Sequence, residues 1–89
     1  MGRFLMKLYN ISNAEEFLTR VLDCKGMVYA IEADGKAQDL KALAQYLIST
    51  GMAGKIDGFR EIDLVVEKSV DRTLLLNYVA GMKLNRKTA

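Results

Sequence analysis

The chain has 89 residues, of which 51% are hydrophobic and 27% charged, and a net charge of +2. A chain of that length is one domain, since cores divide only above roughly 250 residues, and its composition is ample for burying about two thirds of the unfolded surface. Histidine, proline and tryptophan are all missing, which removes the commonest general base, every Ser-His or Cys-His dyad, the commonest transition-metal ligand and any rigid Pro-rich linker.

Residues 1 to 3 are read as a loose start, and Met6 offers a second position at which initiation could occur. Phe4 to Tyr9 are apolar on both faces apart from Lys7, the pattern of a strand in the middle of a sheet. Ser12 followed three residues later by Glu15 forms a capping box. Ala14, Phe17, Leu18, Val21 and Leu22 then recur at helical spacing, which predicts an amphipathic helix closed by a left-handed Gly26. Met27 to Glu32 is the second strand, rich in β-branched and aromatic residues and closed by an Asp34-Gly35 turn. Lys36 to Gln38 can form a short hairpin return. Asp39 caps a second helix carried by Leu40, Leu43, Ala44, Leu47 and Ile48 and stopped by Gly51.

Residues 51 to 59 hold Gly51, Gly54 and Gly58 and form the longest irregular stretch. From Arg60 to Glu67, Ile62, Leu64 and Val66 alternate with Glu61, Asp63 and Glu67, a period of two that predicts a half-buried strand at a sheet edge. Ser69 caps a third helix with Asp71 at its positive end. Leu74, Leu75, Tyr78, Val79 and Met82 make its buried stripe, while Leu76 and Ala80 fall off it. Residues 83 to 89 are expected to fray, leaving an ordered core over about 4 to 82 in a single domain spanning 1–89.

Alternation of strands and helices (βαβαβα) points to an α/β domain with a three-stranded, mostly parallel sheet, three helices and right-handed crossovers. Three strands about 4.8 Å apart cannot carry three helices about 10 Å across on one side. Helices on both faces and a strand order 2-1-3 are therefore favoured over 1-2-3 with a displaced third helix, and an antiparallel third strand is a further option.

The tail carries Lys83, Arg86 and Lys87, leaving 10 basic and 11 acidic residues in the body. A near-neutral body lacks the broad basic face usual in nucleic-acid proteins. The single cysteine, Cys24, cannot form an internal bridge, and without a secretory signal the expected setting is a reducing cytoplasm. No apolar run approaches the roughly 20 residues needed to span a bilayer, so no membrane is expected as a partner.

The motifs that suggest chemistry fail on their own mechanics. Gly51-Met52-Ala53-Gly54-Lys55-Ile56 lacks the four-residue glycine spacing and the Ser or Thr of a phosphate loop, and follows a helix where that loop must follow a strand. Glu61, Asp63 and Glu67 project in parallel from one strand, whereas a magnesium ion needs ligands converging from several elements. With Asp57 they are read as a solvated edge. Cys24 falls in the last turn of a helix, where the dipole opposes a thiolate, and is read as filler. Tyr9, Tyr29, Tyr46 and Tyr78 are spread over four elements, unlike the clustered aromatics of a stacking platform for single strands.

Met6-Lys7-Leu8-Tyr9-Asn10-Ile11, the Cys24-Lys25-Gly26 helix end, the Leu40 to Ile48 helix with Gln45-Tyr46 inside it, and Ile62-Asp63-Leu64 together resemble a family of small proteins from clostridia-like Firmicutes that often carry the label polyA polymerase. The likeness spans about residues 6 to 80. That label implies nucleotidyl transfer, which uses a Gly-Ser pair beside a strand bearing two carboxylates one residue apart to hold metal ions. Glu61 and Asp63 have the carboxylate spacing, but no Gly-Ser occurs in the chain.

The expected function is thus a non-catalytic intracellular module acting through a protein partner or as a homodimer, with no cofactor, metal or catalytic residue. The alternative is an accessory that handles nucleic acid or nucleotides through Lys83, Arg86 and Lys87.

Overall fold

A computed structural model describes residues 3–88, with side chains described for residues 3–80. Its elements are β1 (Phe4–Ile11), α1 (Ala14–Leu22), β2 (Val28–Ile31), β3 (Ala37–Asp39), α2 (Leu40–Ser49), a 3-10 turn (Met52–Lys55), β4 (Phe59–Val66) and α3 (Ser69–Thr88). The radius of gyration, 12.7 Å, is close to the roughly 12 Å expected of one compact domain of this length.

The sheet corrects the parallel expectation. It has four strands in the order β1-β4-β2-β3, and every neighbouring pair is antiparallel. β1 and β2 do run in the same direction, as a crossover through α1 requires, but β4 is inserted between them. The hairpin return after Gly35 is a true strand, β3, pairing Ile31 with Ala37 and Tyr29 with Asp39. Gly35 takes a φ of 86°, and its N–H donates to Glu32 O at 2.8 Å to close the turn. In sequence order the three expected strands lie 1-3-2, so neither 2-1-3 nor 1-2-3 holds. Arg60 to Glu67 is a central strand, and Phe4 to Tyr9, expected in the centre, is an edge.

All three helices contribute to one core on one side of the sheet. Met6 and Leu8 from β1, Val28 from β2, and Leu64 and Val66 from β4 meet Phe17, Leu18 and Val21 of α1, Leu40 and Ala44 of α2, and Leu75 of α3. The expectation of helices on both faces fails for two reasons. A fourth strand widens the sheet to about 19 Å, and α1 packs against α2 and α3, so the helices do not each need their own width of sheet.

Local chemistry sets the helix ends. The cap of α1 is Asn13, one residue beyond the expected Ser12; its side chain accepts the Glu16 N–H at 3.0 Å. Asp39 caps α2 as expected, accepting from the Ala42 N–H at 3.1 Å, and Gly51 follows the helix with a φ of 78°. Gly26 is not a left-handed helix stop, because α1 ends at Leu22 with Asp23 as its C-cap. Ser69 does not cap α3 either: Lys68 O accepts the Arg72 N–H, so the helix opens one residue earlier than expected. The backbone of α3 is helical through Thr88.

Candidate functional site

With every helix on one side, the other face of the sheet has no covering layer among the described residues. Alternation along each strand fixes which side chains it presents. Met6 and Leu8 are buried, so Leu5, Lys7 and Tyr9 point the opposite way; Leu5 is 74% exposed and Tyr9 51%. The same logic puts Glu61, Asp63 and Val65 of β4 and Tyr29 and Ile31 of β2 on this face, since Leu64, Val66 and Val28 are fully buried. None of these outward apolar residues belongs to the core or packs against it.

Strand register aligns the face in rows. Leu5 pairs with Val65 and Val65 with Tyr29, an unbroken apolar row across three strands. The next row runs Lys7, Asp63, Ile31 and Ala37, and a third pairs Tyr9 with Glu61. Lys7 Nζ donates to Glu61 Oε2 at 2.8 Å and lies 3.6 Å from Asp63 Oδ1. The Glu61 hydrogen bond, then the Asp63 charge, raises the Lys7 ammonium above its ordinary pKa. These charges therefore stand on an open face and do not blunt a sheet edge. The lysine occupies the place between the two carboxylates where a metal would have to sit, and no group of three His, Cys, Asp or Glu suited to a metal occurs among the described residues.

Tyr9 and Tyr29 do share this face. They are two strands and four residues apart, a separation of about 17 Å, too far for successive stacked bases. Tyr46 and Tyr78 lie on α2 and α3, away from them. Within the face Lys7 is outnumbered by Glu61 and Asp63, the wrong balance for a phosphate backbone. The side chains of Lys83, Arg86 and Lys87, the basic tail singled out in the sequence, lie outside the described residues.

Hollows also lie outside the open face. A groove of about 480 Å³ between α1 and α3 is lined by Arg20, Val70, Thr73, Leu74, Asn77 and Tyr78. The Arg20 guanidinium lies 5.7 Å from the Tyr78 ring centroid, and the Tyr78 hydroxyl donates to Glu16 at 3.1 Å. Burial, aided by that hydrogen bond, pushes the Tyr78 hydroxyl up to about 12. A more open cleft of about 660 Å³ lies where β1 leads into α1, beside Ser12, Asp57 and Arg60. Ser12 and Asp57 both line the second space, but among the described residues no hydrogen bond joins them.

Cys24 lies two residues beyond α1, not in its last turn, and is buried; desolvation, reinforced by the nearby Asp71 charge, pushes its thiol up to about 11. Its thiol donates to Arg20 O at 3.6 Å, so it is neither exposed nor activated. Asp71, expected to serve the dipole of its own helix, instead reaches across to the α1–β2 loop. It is 1% exposed and accepts the backbone N–H groups of Lys25 and Gly26, each at 2.8 Å. Lys41 Nζ donates to Cys24 O at 2.7 Å and Gly26 O at 3.1 Å, so the loop is tied to α3 on one side and α2 on the other.

Comparison with protein-family models, curated proteins and solved structures finds no match to this chain. Among the described residues no helix is long and apolar enough to cross a membrane. The fold and its open face are thus the direct structural basis for a functional reading. Sequence reasoning missed Leu5, Tyr29, Ile31 and Val65 as members of that face. Their alternation with core residues was legible, but the side of the sheet left without helices was not.

Proposed function

We propose that this protein is a non-catalytic interaction module that receives a protein partner on the open face of its sheet. The observation supporting it most directly is the uncovered row Leu5, Val65 and Tyr29, flanked by Ile31 and Ala37 and bordered by the Lys7, Glu61 and Asp63 cluster. An apolar stripe with a charged border suits a partner with exposed aliphatic or aromatic side chains and a few polar groups, the usual composition of a specific protein interface. The single cysteine, unpaired and buried, fits an intracellular setting.

The nucleic-acid reading rests on Lys83, Arg86 and Lys87 and on the resemblance to small clostridial proteins labelled polyA polymerase. The acidic balance of the open face gives it no help. A single experiment separates the two: partners crosslinked by a photoreactive residue at position 29 are compared for wild type, Val65→Glu and a chain lacking residues 83–89. The protein-module reading expects crosslinked protein that is lost in Val65→Glu and kept on tail removal. Crosslinks equally strong in Val65→Glu, or salt-sensitive RNA binding abolished by removing the tail, would refute it.

A further inference from the structure

We propose that the chain is a two-fold homodimer in which β1 pairs antiparallel with β1 of a second copy, joining two four-stranded sheets into one of eight strands, while α3 packs on the partner's α3 through Leu76. This interface uses the edge of the sheet and one helix flank; it shares Leu5 with the open-face row and leaves Val65 and Tyr29 to a partner on that face.

The two edges of the sheet differ sharply. β3 is three residues long, whereas β1 runs for eight residues without proline and pairs regularly from Phe4 to Tyr9 before Asn10 takes a φ of 58°. Native sheets blunt long edges with outward lysines, bulges or a covering segment, because the unpaired N–H and C=O groups otherwise recruit another strand. Lys7 gives no such protection, being drawn back over β4 by Glu61 and Asp63. It is flanked on the same strand by Leu5 and Tyr9, both exposed.

Strand symmetry then selects a register. Residues opposed across an antiparallel pair point to the same face, so an axis beside Lys7 sets Leu5 against the partner's Tyr9 and Met6 against the partner's Leu8. Each pairing occurs twice. Aromatic–aliphatic cross-strand pairs of this kind are stabilising. The two Lys7 ammonium groups meet among four carboxylates, the Glu61 and Asp63 of each copy, which offsets their mutual repulsion.

The helix layer agrees independently. α3 contacts both β1 and β4, so it lies over the same margin of the sheet as the two-fold, which falls about 2.4 Å outside β1. Two α3 helices over adjoining β1 edges are neighbours across the axis, and helices in contact pack at about 8–10 Å. Leu74 and Tyr78 turn toward α1, since they line the groove that Arg20 closes. At about 100° per residue Leu76 is on the opposite flank, toward the free edge of β1, and it is 43% exposed. Height matches too. α3 starts just past Val66, which pairs with Phe4, and runs back along the sheet toward Phe59, where Phe17 touches both Phe59 and Tyr78. Leu76 is seven residues along α3 and Lys7 three residues along β1, each about 10 Å from that end. The axis at Lys7 thus brings Leu76 to the partner's Leu76.

The footprint is about 24 Å along the seven residues Phe4 to Asn10 that oppose one another, by about 20 Å through sheet and helix, roughly 950 Å² over both copies, the size of a weak, concentration-dependent interface. Stacking the two open faces instead would bury the Lys7, Glu61 and Asp63 cluster, whose desolvation opposes it.

Sedimentation equilibrium of the full chain tests the dimer, and single-cysteine variants in a Cys24→Ser background test the interface. Lys7→Cys and Leu76→Cys should each form an intermolecular disulfide, the opposed Cα atoms at Lys7 being about 4.5–5.5 Å apart. Val70→Cys, exposed on the α1 flank, should not. Leu76→Glu, folded by circular dichroism, should weaken association at least about tenfold. A chain that stays monomeric at about 1 mM, within the concentration range of weak complexes, overturns the proposal. So does a dimer indifferent to Leu76→Glu, or one in which Val70→Cys crosslinks as fast as the two axis positions.

Discussion

Replacing Asp71 tests how the only buried acidic side chain among the described residues supports the fold. Its two oxygens accept the N–H groups of Lys25 and Gly26 at 2.8 Å, and the side chain is 1% exposed. Asp71→Ala removes both charge-assisted bonds and strands two backbone donors, each of which costs about 1–3 kcal/mol when left unpaired. Part of that loss is offset because the alanine protein no longer desolvates a carboxylate, so the expected net destabilisation is about 3 kcal/mol. Against a total of roughly 4–13 kcal/mol for a chain of this length, that is a large share. Asp71→Asn keeps one acceptor but turns an amide N–H toward the second donor, and should cost about 2 kcal/mol. Urea unfolding gives both values, and the midpoint should fall with little change in slope. Amide exchange adds a local readout: Lys25 and Gly26 should lose protection in both variants before the core strands do. A loss under about 0.5 kcal/mol for Asp71→Ala, the range of an ordinary surface substitution, would refute the assignment of Asp71 as the tie between α3 and the α1–β2 loop.

Gly58 and Gly35 offer a matched comparison of two left-handed glycines. A Cβ on Gly58, whose φ is +126°, would collide with the backbone oxygen of Ile11, whereas one on Gly35, at φ +86°, meets nothing within 4 Å. Gly35→Ala should cost about 1–2 kcal/mol by backbone strain alone; Gly58→Ala should cost more, the excess reporting the displaced start of β4, and equal losses in thermal melts would contradict the close approach. Tyr78 supplies a pH test. Its hydroxyl is raised from 10.0 to about 12, so the folded chain holds it neutral more strongly than the unfolded chain does. That contribution is complete below about pH 10 and is lost as pH climbs toward 12, so Tyr78→Phe should lessen the fall in stability across this window. In an absorbance titration at about 295 nm, a tyrosinate wavelength, Tyr78→Phe should delete the last step; a step near pH 12 that survives the substitution would refute the assignment.

The elements were legible where a local rule governed them. Asp39 with the stripe Leu40, Ala44 and Leu47 reads as a capped helix because its cap and its buried face lie within ten residues of each other. The cap of α1 slipped by one because Ser12 and Asn13 are both good caps, and only the tertiary path decides which carbonyl starts the helix. Asp71 shows the limit more plainly. Its partners are 46 and 45 residues away in sequence, so a carboxylate at a helix start was naturally assigned to the dipole of that helix.

Strand order failed for a physical reason that also bears on function. Alternation reports that one row of a strand is wet, but not whether the wet row borders an edge or an uncovered face. The acidic row of β4 was therefore taken as protection for an edge, and the two-sided apolarity of β1 as the mark of a central strand. In the fold the inference reverses: the acidic row lies in mid-sheet, where Lys7 neutralises part of it, and the apolar outer row of β1 is exposed at the margin. An apolar row that is neither in the core nor under a helix carries a solvation penalty that folding of one chain leaves in place. Burial of Leu5 and Tyr9 by a second β1, and of Val65 and Tyr29 by a partner on the face, would relieve that penalty at two adjoining surfaces. In the proposed eight-stranded dimer the two open faces would be continuous. A partner spanning the axis would then gain through effective concentration as well as contact area, and would dissociate faster from Leu76→Glu although position 76 lies on the opposite side of the sheet.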